Sequence, residues 1–391
     1  MNLNYFQFNP DECLLYYSES FALFHACNYF EVKHRQKNNI IQYLYNSCFK
    51  KFNSKIYLFL YIFKEMCASP CNLSIPPEVQ QNVSLPSVKR KFISNYSLKP
   101  NDHTINTLQW NILAQALSYP EGNFIRVKTE TVAYETRKWR ILEQILVHQP
   151  DLCSLQEMDI YDCFLKEQLP KYGYTCFFTP KPNSKCLSFK DDPDNFKGPD
   201  GVLLCYKSNL FRETSRSNSD LPNDGRFGRQ VFSIFELEYI PIACPIVFIG
   251  THFKAKKQFA SSRINQANAL IAFLNKKYTE RTNVIIAGDF NGETDEPFYD
   301  ILLKSGLNSA YRLLMNNREP PYTTWKFKSR EERHEKEESR TIDYIFYRSK
   351  NFTPIAYLEL PAKNDIGPDG LPSVNYPSDH LALQSIFLIH A

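Results

Sequence analysis

The amino-acid sequence predicts an α/β protein in which two packed β-sheets are flanked by helices. Three observations lead there. From about Ile105 onward, short apolar strands alternate with amphipathic helices. Those strands are too many, and the helices between them too few, for a doubly wound sheet, so two sheets fit better. Finally, polar residues recur where the apolar strands end: Asn111, Glu157, His252, Asp289, Asn291, Asp343, Asp379 and His380.

The elements follow in order. Residues 1–100 read as an amino-terminal extension and linker, partly disordered, with short helices expected over 21–30 and 40–63. Pro76-Pro77, Pro86 and the Lys89-Arg90-Lys91 cluster mark the linker; the cluster reads as solvated, with a targeting or phosphate-binding patch as the sharper reading. Residues 107–113 form a strand. Residues 133–148 form a helix with Trp139, Leu142, Ile145 and Leu146 on one face, closed by Pro150. A strand over 151–157, a helix over 160–171 and a strand over 174–178 come next, then a polar loop over 180–199. Strands over 201–206, 231–239 and 246–252 lead to a long helix over 260–278.

The stretch Val284-Ile285-Ile286-Ala287-Gly288-Asp289-Phe290-Asn291 organises the rest. Its apolar run reads as a buried strand reaching its carboxyl end. Asp289 and Asn291 lie two positions apart, so an extended chain would point both heads at one spot. The plainer reading is an ordinary Asp-x-Asn turn. A short helix over 296–305, a solvated charged loop over 329–340, and strands over 341–348 and 381–389 complete the chain.

Composition narrows the function. The net charge is +4, and the first hundred residues hold 11 Lys+Arg against 6 Asp+Glu, leaving 35 against 36 for the remainder. The basic excess therefore lies away from the strand-end residues, which argues against an extended groove for a nucleic-acid strand there. Eleven Cys, an odd number with no Cys-x-x-Cys, exclude a disulfide framework and a zinc ribbon and fit a reducing compartment. The longest apolar run near the amino end, 57–63, is too short for a transmembrane segment, and no secretory signal is seen. Lys33, the first basic residue, follows Asp11, Glu12 and Glu19, unlike a mitochondrial presequence. A soluble, cytoplasmic protein is expected.

Each strand-end residue taken singly reads as a turn former or cap. Together they supply what metal-assisted phosphate-ester hydrolysis needs. A hard cation such as Mg²⁺ takes oxygen ligands, for which Glu157 is the best candidate, with Asn111 beside it. Asp289 suits the orienting of a nucleophilic water. Asn291, His252 and His380 can donate to phosphoryl oxygens, and Asp343 can hold His380.

The set Gln109-Trp110-Asn111, Leu155-Gln156-Glu157, Thr251-His252, Gly288-Asp289-Phe290-Asn291, Asp343-Tyr344 and Ser378-Asp379-His380 resembles the exonuclease–endonuclease–phosphatase superfamily, of DNase I-like fold. The resemblance implies a four-layer α/β sandwich over 101–391 as the catalytic domain, Mg²⁺ (or Mn²⁺) as cofactor, and Asp379 as a further metal ligand. Trp110–Leu117, Phe178–Pro182, Gly198–Gly201, Pro320–Lys326 and Leu371–His380 resemble one branch of that superfamily. Its members are understood to remove the 2′-phosphate of NADP(H) and were first grouped with poly(A)-shortening nucleases. That resemblance implies Lys181, Lys254, Lys256, Asp200, Asn291 and Trp325 around the substrate, a link to circadian or metabolic regulation, and mitochondria as a second compartment. Lys256 stands where the branch has Arg, keeping the charge and losing the planar fork. The expected activity is an NADP(H) phosphatase, with a 3′ exoribonuclease on poly(A) as the alternative and a catalytically dead binding module as a third reading. No protein partner is implied.

Overall fold

Alternation along the strands decides how the layers form. In Cys244–His252, Ile246 and Phe248 face one way and Val247 and Ile249 the other. All are buried, so that strand is covered on both faces. The computed structural model describes residues 75–118, 124–222, 230–329 and 335–390. The expected helices at 21–30 and 40–63, and the expected disorder, lie outside the described residues.

Two mixed sheets result. The first runs Phe92–Ser94, Phe352–Leu358, Leu383–Ile389, His103–Asn111, Leu152–Gln156, Gly201–Lys207, Tyr174–Pro180 in spatial order. The second runs Asn308–Ser309, Asp343–Arg348, Val284–Asp289, Cys244–His252, Gln230–Tyr239, Phe211–Leu221. Each holds one parallel pair, His103–Asn111 with Leu152–Gln156 and Cys244–His252 with Val284–Asp289. Parallel neighbours need a crossover, here carried by the helices Tyr134–His148 and Ala260–Lys277.

Three apolar clusters mark three interfaces and hence four layers. Ile141, Leu142 and Ile145 of the first helix cover Leu108, Trp110 and Leu155. Ile105, Leu152, Leu204, Phe235, Phe248, Ile285 and Ile345 fill the space between the sheets. Leu270 and Leu274, with Phe298 and Leu302 from Pro297–Lys304, cover Ile249, Val284 and Ile286. Burying such a side chain is worth about 1.5–3 kcal/mol, so these interfaces dominate the energetics.

Two expectations are corrected. Residues 75–98, expected as linker, join the compact unit that continues from Asp102. Phe92–Ser94 pairs with Phe352–Leu358, Pro77–Asn82 is helical around a buried Val79, and Arg90 Nε donates to the Glu359 carbonyl (2.8 Å). The charged run 329–340 is in large part a strand: Glu335–Arg340 pairs with Thr324–Ser329 in a two-stranded ribbon. Its charges escaped a strand reading because each side chain finds an ion partner or solvent rather than a core. Phe211–Leu221, an edge strand with alternating exposed polar residues, was unread for want of an apolar run, and Phe352–Leu358, with Pro354 inside it, was also unread. Among the described residues no helix is long and apolar enough to cross a membrane.

Candidate active site

The space between the sheets changes character along the strands. Its floor is the apolar cluster above. Beyond it the inward-facing residues turn small and polar: Thr107, Ser154, Gly250 and Ala287, then the carboxamides of Gln109, level with Ser154, and Gln156, level with Asn111. Gly250 is required there: a Cβ would stand 2.5 Å from Ser154 Oγ and from Leu204 Cδ2 of the opposite sheet. Above the carboxamides, at the strand ends, come the ionisable groups.

Register aligns the first of them. Asp289 is paired directly with His252 on one side and with Asp343 on the other, so three strand ends place three functional groups in one row. Gly288 permits this, since a Cβ would meet the Thr251 carbonyl at 2.4 Å. Across the gap, Asn111 donates from Nδ2 to Glu157 Oε1 (3.1 Å) and to Asp289 Oδ2 (3.0 Å), while its Oδ1 accepts from Leu113 N–H (3.0 Å). Asn111, expected as a metal ligand, thus turns its nitrogen to the carboxylates and orients them. Glu157 lies just past its strand at φ +54° and accepts from Ala114 N–H (3.1 Å).

Asn291 reaches the site by a different route from the one expected. The strand ends at Asp289, and Asn291 has φ +55°, so strand alternation does not place it. Asp289 Oδ1 accepts from Asn291 N–H (2.8 Å), closing the turn that the plainer reading foresaw. Its Nδ2 donates to the Phe253 carbonyl (3.1 Å), so the carboxamide nitrogen expected for phosphoryl oxygens is already engaged.

The two histidines differ. Lys181 Nζ lies 3.1 Å from His252 Nδ1, and an ammonium can only donate, so Nδ1 accepts and the ring proton sits on Nε2. That Nε2 faces Asp289 Oδ2 at 3.5 Å. Burial, then the charges of Lys181 and His380, hold His252 well below the usual imidazole range. His380 Nδ1 donates to Asp343 Oδ2 (2.9 Å), and its Nε2 stands 3.9 Å from Asp289 Oδ2 and from Asp379 Oδ2. Burial opposes its charge, but Asp343, Asp379 and Asp289 outweigh it and push His380 up to about 10. Asp289, desolvated and beside Asp343, is pushed up to about 7.

Two buried Lys–Asp pairs flank this centre. Lys181 Nζ binds Asp200 Oδ2 at 2.6 Å, with Ser184 Oγ on the other oxygen. Lys181, expected around substrate phosphates or as a solvated loop residue, is a buried ion-pair member at the cleft wall. Lys326 pairs with Asp379 on the opposite side. Sequence reasoning missed Lys326 and selected Trp325, which the structure does not bring to the site. Along Thr324–Ser329 the even positions face His380 and Asp379, while Trp325 packs with Phe327 and donates to Glu337 (2.7 Å). The period of two was the signal available.

A cleft of about 860 Å³ opens from Glu157, Lys181, Asp200 and His252 toward Lys254, Lys256 and the apolar Leu117, Leu187 and Phe259. Buried Arg263, unread in the sequence, pins its basic wall: Nη1 donates to the Lys254 and Lys256 carbonyls (2.8 and 2.9 Å), and Nε and Nη2 grip Glu296. Desolvation, then repulsion from Lys181 and Lys256, lowers the Lys254 ammonium.

Two donor sets suit a metal. Asp289, Asp343 and His380 bring ligand-type atoms within 4.8 Å of one another. Within that trio, Asp343 Oδ2 also accepts from His380 and Thr323. Glu157, bordering the cleft, and Asp379, whose buried Oδ1 takes no hydrogen bond among the described residues, are further oxygen donors of the kind a hard cation takes.

The Endonuclease/Exonuclease/phosphatase family model matches residues 108–380. Nocturnin of Xenopus laevis is 38% identical over 286 residues, 72% of this chain and 71% of that one. Nocturnin of Homo sapiens is 38% identical over 305 residues, 76% of this chain and 68% of that one. The solved human nocturnin catalytic domain with bound sulfate anion superposes with a TM-score of 0.62 at 33% identity, covering 78% of this chain and 98% of that one. ANGEL2, described as a 2′,3′-cyclic phosphatase, shares the fold with a TM-score of 0.60 at 20% identity, over 78% of this chain and 99% of that one.

Proposed function

This chain belongs to the endonuclease/exonuclease/phosphatase family, whose members hydrolyse phosphoesters, and within it to the nocturnins; from that premise we propose that it is a Mg²⁺-dependent phosphatase removing the 2′-phosphate of NADP⁺ and NADPH. The observation that carries the reading is the cleft. Its volume of about 860 Å³ suits one dinucleotide, at the upper end of the usual ligand range. Lys181, Lys254 and Lys256 offer cations for phosphates and Leu117, Leu187 and Phe259 apolar surface for a ring. The human nocturnin catalytic domain was solved with a bound sulfate anion, which is consistent with an anionic substrate.

The residues divide the work as follows. Asp289, pushed up to about 7, takes the proton of the attacking water in its ionised form. Neutral His252 holds Asp289 in place through Nε2, and Asn291, its nitrogen engaged, turns its oxygen to the water. Cationic His380, supported by Asp343, stabilises charge on the phosphoryl oxygens. Glu157 and Asp379 would hold the cation, with Asn111 orienting Glu157. A bound divalent ion supplies further neutralisation of that charge.

The test offers purified protein NADPH and a labelled oligoadenylate side by side with Mg²⁺, following inorganic phosphate and strand length. Phosphate release from NADPH with an intact strand is expected. Shortening of the strand with no phosphate from NADPH overturns the reading in favour of an exoribonuclease.

A further inference from the structure

We infer that Gln109 is a positioning residue for the reaction, acting through Asp343 on His380. The inference rests on the hydrolytic reading of that pair. Asp343 has two oxygens to align. Oδ2 accepts from His380 Nδ1 (2.9 Å) and from Thr323 Oγ1, and Oδ1 accepts from Gln109 Nε2 at 3.0 Å. Gln109 is therefore the side chain that fixes the second oxygen, and with it the plane of the carboxylate.

Its own orientation is set by a chain of donors crossing the space between the sheets. Gln109 Nε2 also donates to Gln156 Oε1 (2.8 Å), so both acceptors demand the amide nitrogen on that side. Gln156 Nε2 donates to Ser154 Oγ (2.9 Å), and Ser154 Oγ donates to the Ala287 carbonyl (2.9 Å) in the central strand of the second sheet. Gln109, Ser154, Gln156 and Asp343 are all fully buried at 0% exposure, where rotation has nowhere to go. The chain starts on a backbone carbonyl and ends on the imidazole of His380.

A second observation separates positioning from mere core filling. Gln109 Oε1 is buried and takes no hydrogen bond among the described residues. An apolar side chain would avoid leaving that oxygen unpaired, and buried polar groups are ordinarily satisfied. Here the amide forgoes a bond on its oxygen to aim its nitrogen at Asp343. Buried networks of this kind specify one geometry rather than add stability.

The experiment uses the full chain with Mg²⁺ and two variants, Gln109→Met, which deletes the donor, and Gln109→Glu, which keeps the length and replaces the donor by an acceptor. Turnover is measured on whichever of NADPH or oligoadenylate the wild type hydrolyses, and the low-field proton resonance of His380 Nδ1 is recorded without substrate. Loss of an outer partner that orients a ligand typically costs about 10–100-fold, so kcat is expected to fall by that factor with KM within about twofold. Both variants should shift the His380 resonance. Placed on Asp343→Asn, Gln109→Met should cost less than about threefold more, because the path it acts through is already broken. If Gln109→Met does not fold, Gln109→Glu carries the same comparisons. Wild-type kcat with an unmoved resonance, or losses that multiply in the double variant, overturns the inference. If the wild type hydrolyses neither substrate, the substrate reading falls and the resonance alone decides: a shift supports the role of Gln109, and an unmoved signal removes it.

Discussion

His252 and His380 approach the same oxygen, Asp289 Oδ2, from 3.5 and 3.9 Å, and both are nearly inaccessible to solvent. One is held neutral and the other cationic. The difference lies in what faces Nδ1. Lys181, an ammonium that can only donate, forces His252 to accept; Asp343, a carboxylate that can only accept, makes His380 donate. The surroundings repeat the pattern: Lys181 and Lys326 are each paired with a buried aspartate, yet His252 feels the lysine and His380 the aspartate. One residue type therefore performs two electrostatic tasks at one carboxylate, and burial amplifies the choice made by the partner.

The comparison breaks most completely if its shared carboxylate is removed. Asp289→Asn should lower phosphate release by about 10⁴-fold, the upper range for a positioned acid–base group, with an unchanged circular dichroism spectrum. A rate within tenfold of wild type would show that neither histidine works through this oxygen.

Asp343→Asn attacks one arm only. Turnover should fall by about 10²-fold with KM little changed. His380 should lose its elevated titration, moving from about 10 toward the ordinary imidazole range in an NMR titration. Lys181→Ala attacks the other arm. A charge-assisted contact is worth about 1.5–3 kcal/mol, so KM for the anionic substrate should rise roughly ten- to a hundredfold. His252 should titrate higher once its lysine is gone, and a KM unaffected by the change would return Lys181 to a purely structural role.

The sign of the pH effect separates the arms further. His380 is raised in the folded state, so its stabilisation is complete below the unfolded value of 6.5 and is lost as pH rises through about 10. In metal-free protein, the melting temperature of wild type should exceed that of His380→Gln at pH 6.5, and the gap should close by pH 10.5. A gap that widens with pH would mean that His380 is neutral. Lys256→Arg, the smallest change, should lower KM by a few-fold by adding a planar fork at the cleft wall.

Much of this was legible in the chain itself. Apolar strand runs, helix faces and the recurrence of polar residues at strand ends follow from local pattern, because periodicity and turn chemistry act over a few residues. On that ground the two sheets, and the set Asn111, Glu157, His252, Asp289, Asp343, Asp379 and His380, could be read without a structure. Strands whose exposed faces are polar, such as Phe211–Leu221 and Glu335–Arg340, carry no such pattern, since the partner strand rather than a core makes them extended.

What only the tertiary structure decided is where each polar atom points and what charge it carries. Asn111 offers its nitrogen, Lys326 rather than Trp325 faces Asp379, and Arg263 pins a loop that precedes it in the chain. His252 is neutral and His380 cationic although both are histidines at strand ends. Those properties come from partners far apart in sequence, such as Lys181 beside His252 and Asp343 beside His380. Electrostatic energy depends on distance and burial, and neither is defined until the two sheets pack.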